Sequence, residues 1–231
     1  MFGPMNLFWD STYILIIIGM GLSFLASNYV KTTFKKYDEY ANKKGYTGTD
    51  VANIILAESG IRDVRVQEIG GDLTDNYNSG NKTLNLSQAT AHSQSVAAIG
   101  VAAHECGHAV QDQVNYFPLK LRSLLVPAAN IGATISFPLI MAGVFFGQFL
   151  INIGIVCFSL ALIFQLVTLP VEFNASSRAL NILKEKNVLD SEELGMARKV
   201  LIAAALTYVA SAISVFLQLL RLIIIFGNRR D

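Results

Sequence analysis

Residues 104–108 read His104-Glu105-Cys106-Gly107-His108, which fits H-E-x-x-H inside a strongly apolar run. In a helix, side chains four apart lie on one face, one turn above each other. Two imidazoles at that spacing can share one Zn²⁺. Glu105 is rotated by about 100° from His104, so it can reach a water held by the metal without being a ligand. This is the arrangement of a metal-assisted hydrolase: two fixed nitrogens, an open coordination position and a base beside them. A pattern with so few fixed positions also arises by chance. Two features weigh against chance here. The preceding residues 95–103 are small and mostly apolar, as a packed helix requires, and two of the chain's three histidines occupy the motif.

A catalytic zinc normally keeps three protein ligands. No histidine follows His108, so the third ligand is expected to be a carboxylate. Asp112 is nearest, four residues on. Side chains at i, i+4 and i+8 spread over about 12 Å of helix and cannot converge on one ion, so Asp112 reads as a supporting or solvated group. Glu172 is the stronger candidate. It directly follows an apolar span in Pro170-Val171-Glu172-Phe173-Asn174-Ala175-Ser176-Ser177-Arg178. Two membrane crossings between His108 and Glu172 return the chain to the side of the motif. A carboxylate at the foot of an apolar helix invites a functional explanation, the alternative being a solvated acid. Asn174 and Arg178 could orient a carboxylate or stabilise an oxyanion; Arg178 suits a membrane-surface anchor equally well. Cys106 lies two residues from each histidine and points to nearly the opposite face, which favours a core role. His92 precedes the motif helix and reads as a surface or capping residue.

The elements that must position these groups are mostly membrane spans. Of the 231 residues, 52% are hydrophobic and 15% charged, and the mean hydropathy is +0.44. That charge content is well below the ~25% of soluble domains. A net charge of +1 gives no suggestion of nucleic-acid binding. Four stretches are long enough to cross a bilayer, at about 8–29, 124–146, 149–169 and 200–226. Gly147-Gln148 alone joins the second and third, which must form a tight hairpin. The first is not a secretory signal, because its amino side carries no Lys or Arg and instead holds Asp10, while Lys31, Lys35 and Lys36 follow it. These lysines, with Lys120, Arg122, Arg178, Lys184, Lys186, Arg198 and Lys199, place about 31–122 and 171–199 in the cytoplasm and outweigh the dissenting Arg229 and Arg230. Two cysteines, Cys106 and Cys157, suggest no disulfide framework.

The segment before the motif is polar at 31–48. Thr49 or Asp50 can N-cap a short helix ending at Gly60. Residues 64–69 and 82–86 alternate apolar and polar at strand period, and 77–82 is turn-rich. Ser93 can cap the motif helix. The expected fold is an α+β membrane protein in a single integral membrane domain over 1–231. It has four transmembrane helices, a cytoplasmic H-E-x-x-H helix and a small antiparallel sheet.

With these residues in view, the chain resembles the YugP-like neutral zinc metallopeptidases, integral membrane zinc peptidases of bacteria. The resemblance rests on residues 102–112 around the motif, on Leu73-Thr74-Asp75-Asn76-Tyr77 followed by 82–87, and on 169–176. It extends from the first span to the last. More distantly, a motif helix followed by a Glu-containing helix is similar to HtpX and the CAAX prenyl proteases. The resemblance implies His104, His108 and Glu172 as ligands of Zn²⁺ and Glu105 as base. One position departs. The distant relatives carry an acid four residues after their ligand glutamate, where this chain has Ser176. Support for a histidine must then come from elsewhere, and prenylated substrates are not implied.

The function expected is that of a gluzincin-like, zinc-dependent endopeptidase in a bacterial cytoplasmic membrane, acting on polypeptides near the cytoplasmic face. Its partners are a polypeptide substrate and the lipid bilayer, without nucleic acid. Two alternatives, a non-enzymatic membrane protein with a structural zinc and a metal-binding, transporter-like bundle, fit the residues less well. A structural zinc usually needs four protein ligands rich in cysteine. A metal-binding, transporter-like bundle needs ionisable residues inside several spans; here only Asp10 and Arg221 lie in or beside one.

Overall fold

The computed structural model describes residues 10–227. Phe8 and Trp9 of the first expected span, and the tail cations Arg229 and Arg230, lie outside the described residues. In chain order the elements are α1 (Tyr13–Asp38), α2 (Gly48–Glu58), β1 (Arg65–Ile69), β2 (Asn76–Asn78), β3 (Thr83–Ser87), α3 (Gln88–Ala91), α4 (Val96–Gln113), α5 (Phe117–Phe146), α6 (Gln148–Glu185) and α7 (Ser191–Phe226). Among the described residues four helices, α1, α5, α6 and α7, are long and apolar enough to cross a membrane, as hydropathy predicts. α1 begins and ends later than the expected first span, α5 and α7 begin earlier and end where expected, and α6 runs well beyond the expected third span. Most notably, α6 continues through Pro170, so Glu172 is carried on the same helix as the third span.

The chain divides into two compact units. One takes in Met1–Ser27, Leu121–Leu169 and Thr207–Asp231; the other takes in Asn28–Lys120 and Pro170–Leu206. In the first unit α5 and α6 form the predicted hairpin. Gly147 turns it at φ +116°, a conformation that side chains with a Cβ disfavour. Ile140, Ile151 and Phe226 are buried together there. Ser214 on α7 donates to the Gly19 carbonyl of α1 at 2.8 Å, which satisfies a hydroxyl within a span. Many large apolar side chains face outward, among them Phe145, Phe146 and Phe149. Such a surface suits lipid, where it need not be hidden from water.

The second unit holds the motif. Its sheet has the order β1-β3-β2, with β1 parallel to β3 and β2 antiparallel to it. This corrects the expected antiparallel sheet. The stretch 76–78 forms a strand of its own inside the turn-rich region, so the chain reverses twice between β1 and β3 and regains its first direction. Asp75, just before β2, accepts hydrogen bonds from the Ser87 N–H and hydroxyl at the end of β3 and from the Thr90 hydroxyl of α3. The caps also differ by a few residues. Thr47 caps α2 and forms a capping box with Asp50. Ser95, not Ser93, caps α4, accepting from the Ala98 N–H; its hydroxyl donates to Asp38 at the end of α1.

α4 is buried on nearly every side. Alanine and glycine make it thin, so neighbouring elements approach closely. Ile55, Leu84, Leu86 and Leu183 form the core around it, packed with its own Ile99. On the α6 side, a Cβ at Gly107 would lie 2.4 Å from the Ala175 carbonyl oxygen. Only glycine permits that contact, and the contact brings α6 against the motif.

Candidate metal centre

α4 presents His104 and His108 on one face, and α6 presents Glu172 towards them. Glu172 Oε2 lies 3.2 Å from His104 Nε2 and 3.6 Å from His108 Nε2. The imidazoles pack edge to face with centroids 4.8 Å apart. All three potential ligand atoms lie within 4.8 Å of one another. Zinc takes nitrogen and oxygen ligands at about 2.0–2.2 Å in a tetrahedron, so adjacent ligand atoms should stand about 3.3–3.5 Å apart. The two separations bracket that value, and the donor set is one that zinc accepts. His108 and Glu172 are nearly inaccessible.

Each ring's far nitrogen is also held. His108 Nδ1 lies 3.0 Å from Gln111 Oε1, and Gln111 is fully buried. Gln111 Nε2 donates to the Val171 carbonyl at 2.8 Å and to Asn174 Oδ1 at 3.0 Å. With its amide nitrogen so used, Gln111 can only accept from the imidazole. Nδ1 therefore carries a proton, which leaves Nε2, the nitrogen that faces Glu172, as the one able to bind a metal. His104 Nδ1 lies 3.0 Å from the Ser176 hydroxyl. The residue that departs from the distant relatives thus fills the supporting role itself, which corrects the expectation that support must come from elsewhere.

Glu105 is buried, and its Oε2 accepts the Tyr77 N–H at 2.9 Å. The other carboxylate oxygen has no hydrogen bond among the described residues. The peptide of β2 therefore orients this acid. The strand is tied back to α4 at a second point. Asp112 accepts from the Tyr77 hydroxyl at 2.7 Å and from Lys82 Nζ at 2.6 Å. Burial alone would raise the Asp112 pKa, but these two bonds hold it below the usual carboxylate range. Burial, reinforced by Asp112, pushes the Tyr77 phenol up. Asp112 is accordingly outside the cluster of donors and supports the strand beside it.

Asn174 and Arg178 join the site indirectly. Arg178 Nε donates to Asn174 Oδ1 at 2.7 Å, and the guanidinium lies 5.9 Å from the Tyr116 ring centre. One hydrogen-bonded chain thus runs Arg178, Asn174, Gln111, His108. Cys106 points the other way, with its Sγ 3.7 Å from the Ala52 carbonyl, and burial raises its thiol pKa. His92 is exposed and paired with Glu68. Three contributors went unread in the sequence: Gln111, Gly107 and the Tyr77 peptide. Gln111 carried a usable signal, since it stands three residues from His108 on the same helix face. Tyr77 carried none, because a backbone N–H leaves no mark on residue type.

Comparison with known proteins bears on this geometry. The family model described as "Putative neutral zinc metallopeptidase" matches residues 12–227. The chain is similar to "Putative membrane protease YugP" of Bacillus subtilis (strain 168), with 43% identity over 218 residues, covering 94% of this chain and 97% of that protein. No solved structure matches the chain. The family model covers the motif helix, α6 and the spans between them, and so the chain belongs to the neutral zinc metallopeptidase family, whose cofactor is zinc.

Proposed function

We propose that the chain is a membrane zinc endopeptidase, gluzincin-like in its ligand set. It hydrolyses peptide bonds of polypeptides that reach the cytoplasmic face of a bacterial membrane. In this reading His104, His108 and Glu172 hold Zn²⁺, and Glu105 is the catalytic base. The observation that carries it is the convergence of two imidazole nitrogens on one carboxylate oxygen, at 3.2 and 3.6 Å. Zn²⁺ held by these donors supplies a Lewis acid that polarises a carbonyl and makes water more acidic. Glu105, oriented by the Tyr77 N–H, takes a proton from the attacking water and passes it to the leaving amine nitrogen. Ser176 and Gln111 hold the two rings so that their Nε2 lone pairs face one point. Three ligating side chains instead of four leave a coordination position open, which favours hydrolysis over a structural zinc.

The test separates ligand from base. Glu105→Gln keeps shape but loses basicity, so detergent-purified protein should retain about one zinc per chain and lose peptide hydrolysis by at least ~10²-fold. Glu172→Gln should lower zinc content. If Glu105→Gln lost the metal and Glu172→Gln kept it, the two roles would be exchanged. Unchanged zinc in His104→Ala would remove the site assignment altogether.

A further inference from the structure

Within the first unit, α7 carries a polar stripe through an apolar span. Thr207, Ser211, Ser214, Gln218 and Arg221 recur at spacings of four and three, which keeps them on one helix face. The earlier part is satisfied locally. The Ser211 hydroxyl donates to the Thr207 carbonyl, and Ser214 donates to Gly19 and lies 3.0 Å from the Ser23 hydroxyl. Arg221 is not matched in this way. Its side chain is only 14% exposed, and its Nε is buried with no hydrogen-bond partner among the described residues. Its Nη2 reaches Asp10 Oδ2 at 3.5 Å, the outer limit of a hydrogen bond. Asp10 Oδ1 accepts the Thr12 N–H and hydroxyl, while its Oδ2 forms a long ion pair with Arg221 that leaves the guanidinium Nε unused. The remaining contact is with the Tyr13 ring, 4.2 Å from the guanidinium. A guanidinium stays protonated, and within a span an under-bonded cation is costly enough to call for a function.

A cavity of about 270 Å³ adjoins it, lined by Ile16, Ser136, Phe137, Phe158, Gln218 and Arg221, among others. Most of these walls are apolar, while the side chains free to donate, Arg221 and Gln218, stand one turn apart on α7. Arg221 is five residues from the end of α7, about 7.5 Å of helix. That depth is within reach of the headgroup region. The combination selects an amphiphile: an oxyanion for the guanidinium fork and a hydrocarbon chain for the aromatic and aliphatic wall.

We propose that this cavity binds an anionic phospholipid, with its phosphate on Arg221 and Gln218 and an acyl chain along Ile16, Phe137 and Phe158. The site shares no residue with the metal centre and does not depend on the zinc reading. The test uses the full chain in detergent, with phosphatidylglycerol, phosphatidylcholine of the same acyl chains, or inorganic phosphate added. Native mass spectrometry and thermal unfolding are the readouts. Phosphatidylglycerol should raise the wild-type Tm by several degrees more than phosphatidylcholine, and inorganic phosphate should not reproduce the shift. Arg221→Gln should weaken phosphatidylglycerol retention about tenfold. Arg221→Lys should fall between, since an ammonium keeps the charge but loses the fork. Far-ultraviolet circular dichroism and a monodisperse elution profile check that these variants fold. If Arg221→Gln does not fold, Gln218→Leu serves in its place, with a smaller loss of retention expected. Equal shifts from the two lipids in the wild-type protein would overturn the proposal without any variant. So would undiminished retention in a folded Arg221→Gln protein, or a shift produced by phosphate alone, which would mark a site for a free anion.

Discussion

Gln111 divides one amide between two helices. Its oxygen serves His108 on α4, and its nitrogen serves the Val171 carbonyl and Asn174 on α6. It therefore sets both the tautomer of one proposed ligand and the distance to the helix that carries another. Gln111→Leu keeps the volume but leaves the His108 N–H without a partner in a buried place and removes the tie from α4 to the Val171 carbonyl and Asn174. Loss of such a supporting partner typically costs 10–100-fold in metal affinity, and that is the drop expected in competition with a chelator. Asn174→Ala, one bond further out, should cost less. An unchanged zinc affinity in folded Gln111→Leu would mean that the packing of α4 alone orients His108. The sequence pointed to both histidines and to Glu172 as the metal-binding set, but not to the groups that hold them. Ligand residue types are few and distinctive, whereas supporting ones are common polar residues whose partners are distant in the chain.

Among the elements, the contact of α4 with α6 depends on Gly107. Alanine has the higher helix propensity by about 1 kcal/mol, so a stabilising effect would be expected on an isolated helix. Here its Cβ would meet the Ala175 carbonyl at 2.4 Å, and backbone cannot move aside cheaply. Overpacking costs about 1–3 kcal/mol, so the clash wins. Gly107→Ala should lower both Tm and zinc occupancy, and a Tm at or above wild type would contradict this. The link between β2 and α4 is testable by pH. Asp112 has a folded pKa below its unfolded value of about 3.9. Its bonds to Tyr77 and Lys82 therefore stabilise above about pH 4 and are lost as pH falls through the folded value. Lys82 is more than a third exposed, so water screens its share, and Asp112→Asn should cost about 1 kcal/mol at neutral pH. Thermal unfolding across pH should show the gap between variant and wild type closing in acid. A gap independent of pH would assign it to packing.

For the whole molecule, the proposed function puts the second unit on the cytoplasmic side of the membrane. The cations at Lys31, Lys35, Lys36, Lys120, Arg122, Arg178, Lys184, Lys186, Arg198 and Lys199 favour the cytoplasm. Cysteines introduced at Lys43 and Lys186, both exposed positions, should resist a membrane-impermeant thiol reagent in intact cells and react after permeabilisation. Cys106 is fully buried and should not contribute to the signal. Ready labelling in intact cells would move the proposed peptidase to the exterior and change the class of polypeptide it meets.

The sequence alone determined the features that depend on local periodicity and composition. Long apolar runs can only be helices in lipid, so four helices of span length were legible. The spacing of His104 and His108 follows from the pitch of one helix. The place of Glu172 beside the two histidines was legible because ligand count, residue type and an even number of crossings left few alternatives. Tertiary structure decided what depends on pairing between distant segments. The sheet is mixed because β2, a strand of three residues, lies within a stretch rich in turn formers. The Tyr77 peptide reaches Glu105 because Asp112 and Lys82 anchor that strand. Ser176 supports His104 because α6 continues as a helix through Pro170 and presents Glu172 and Ser176 one turn apart. Residue types recorded none of these, since each depends on which backbone surfaces come to lie within about 3 Å of one another.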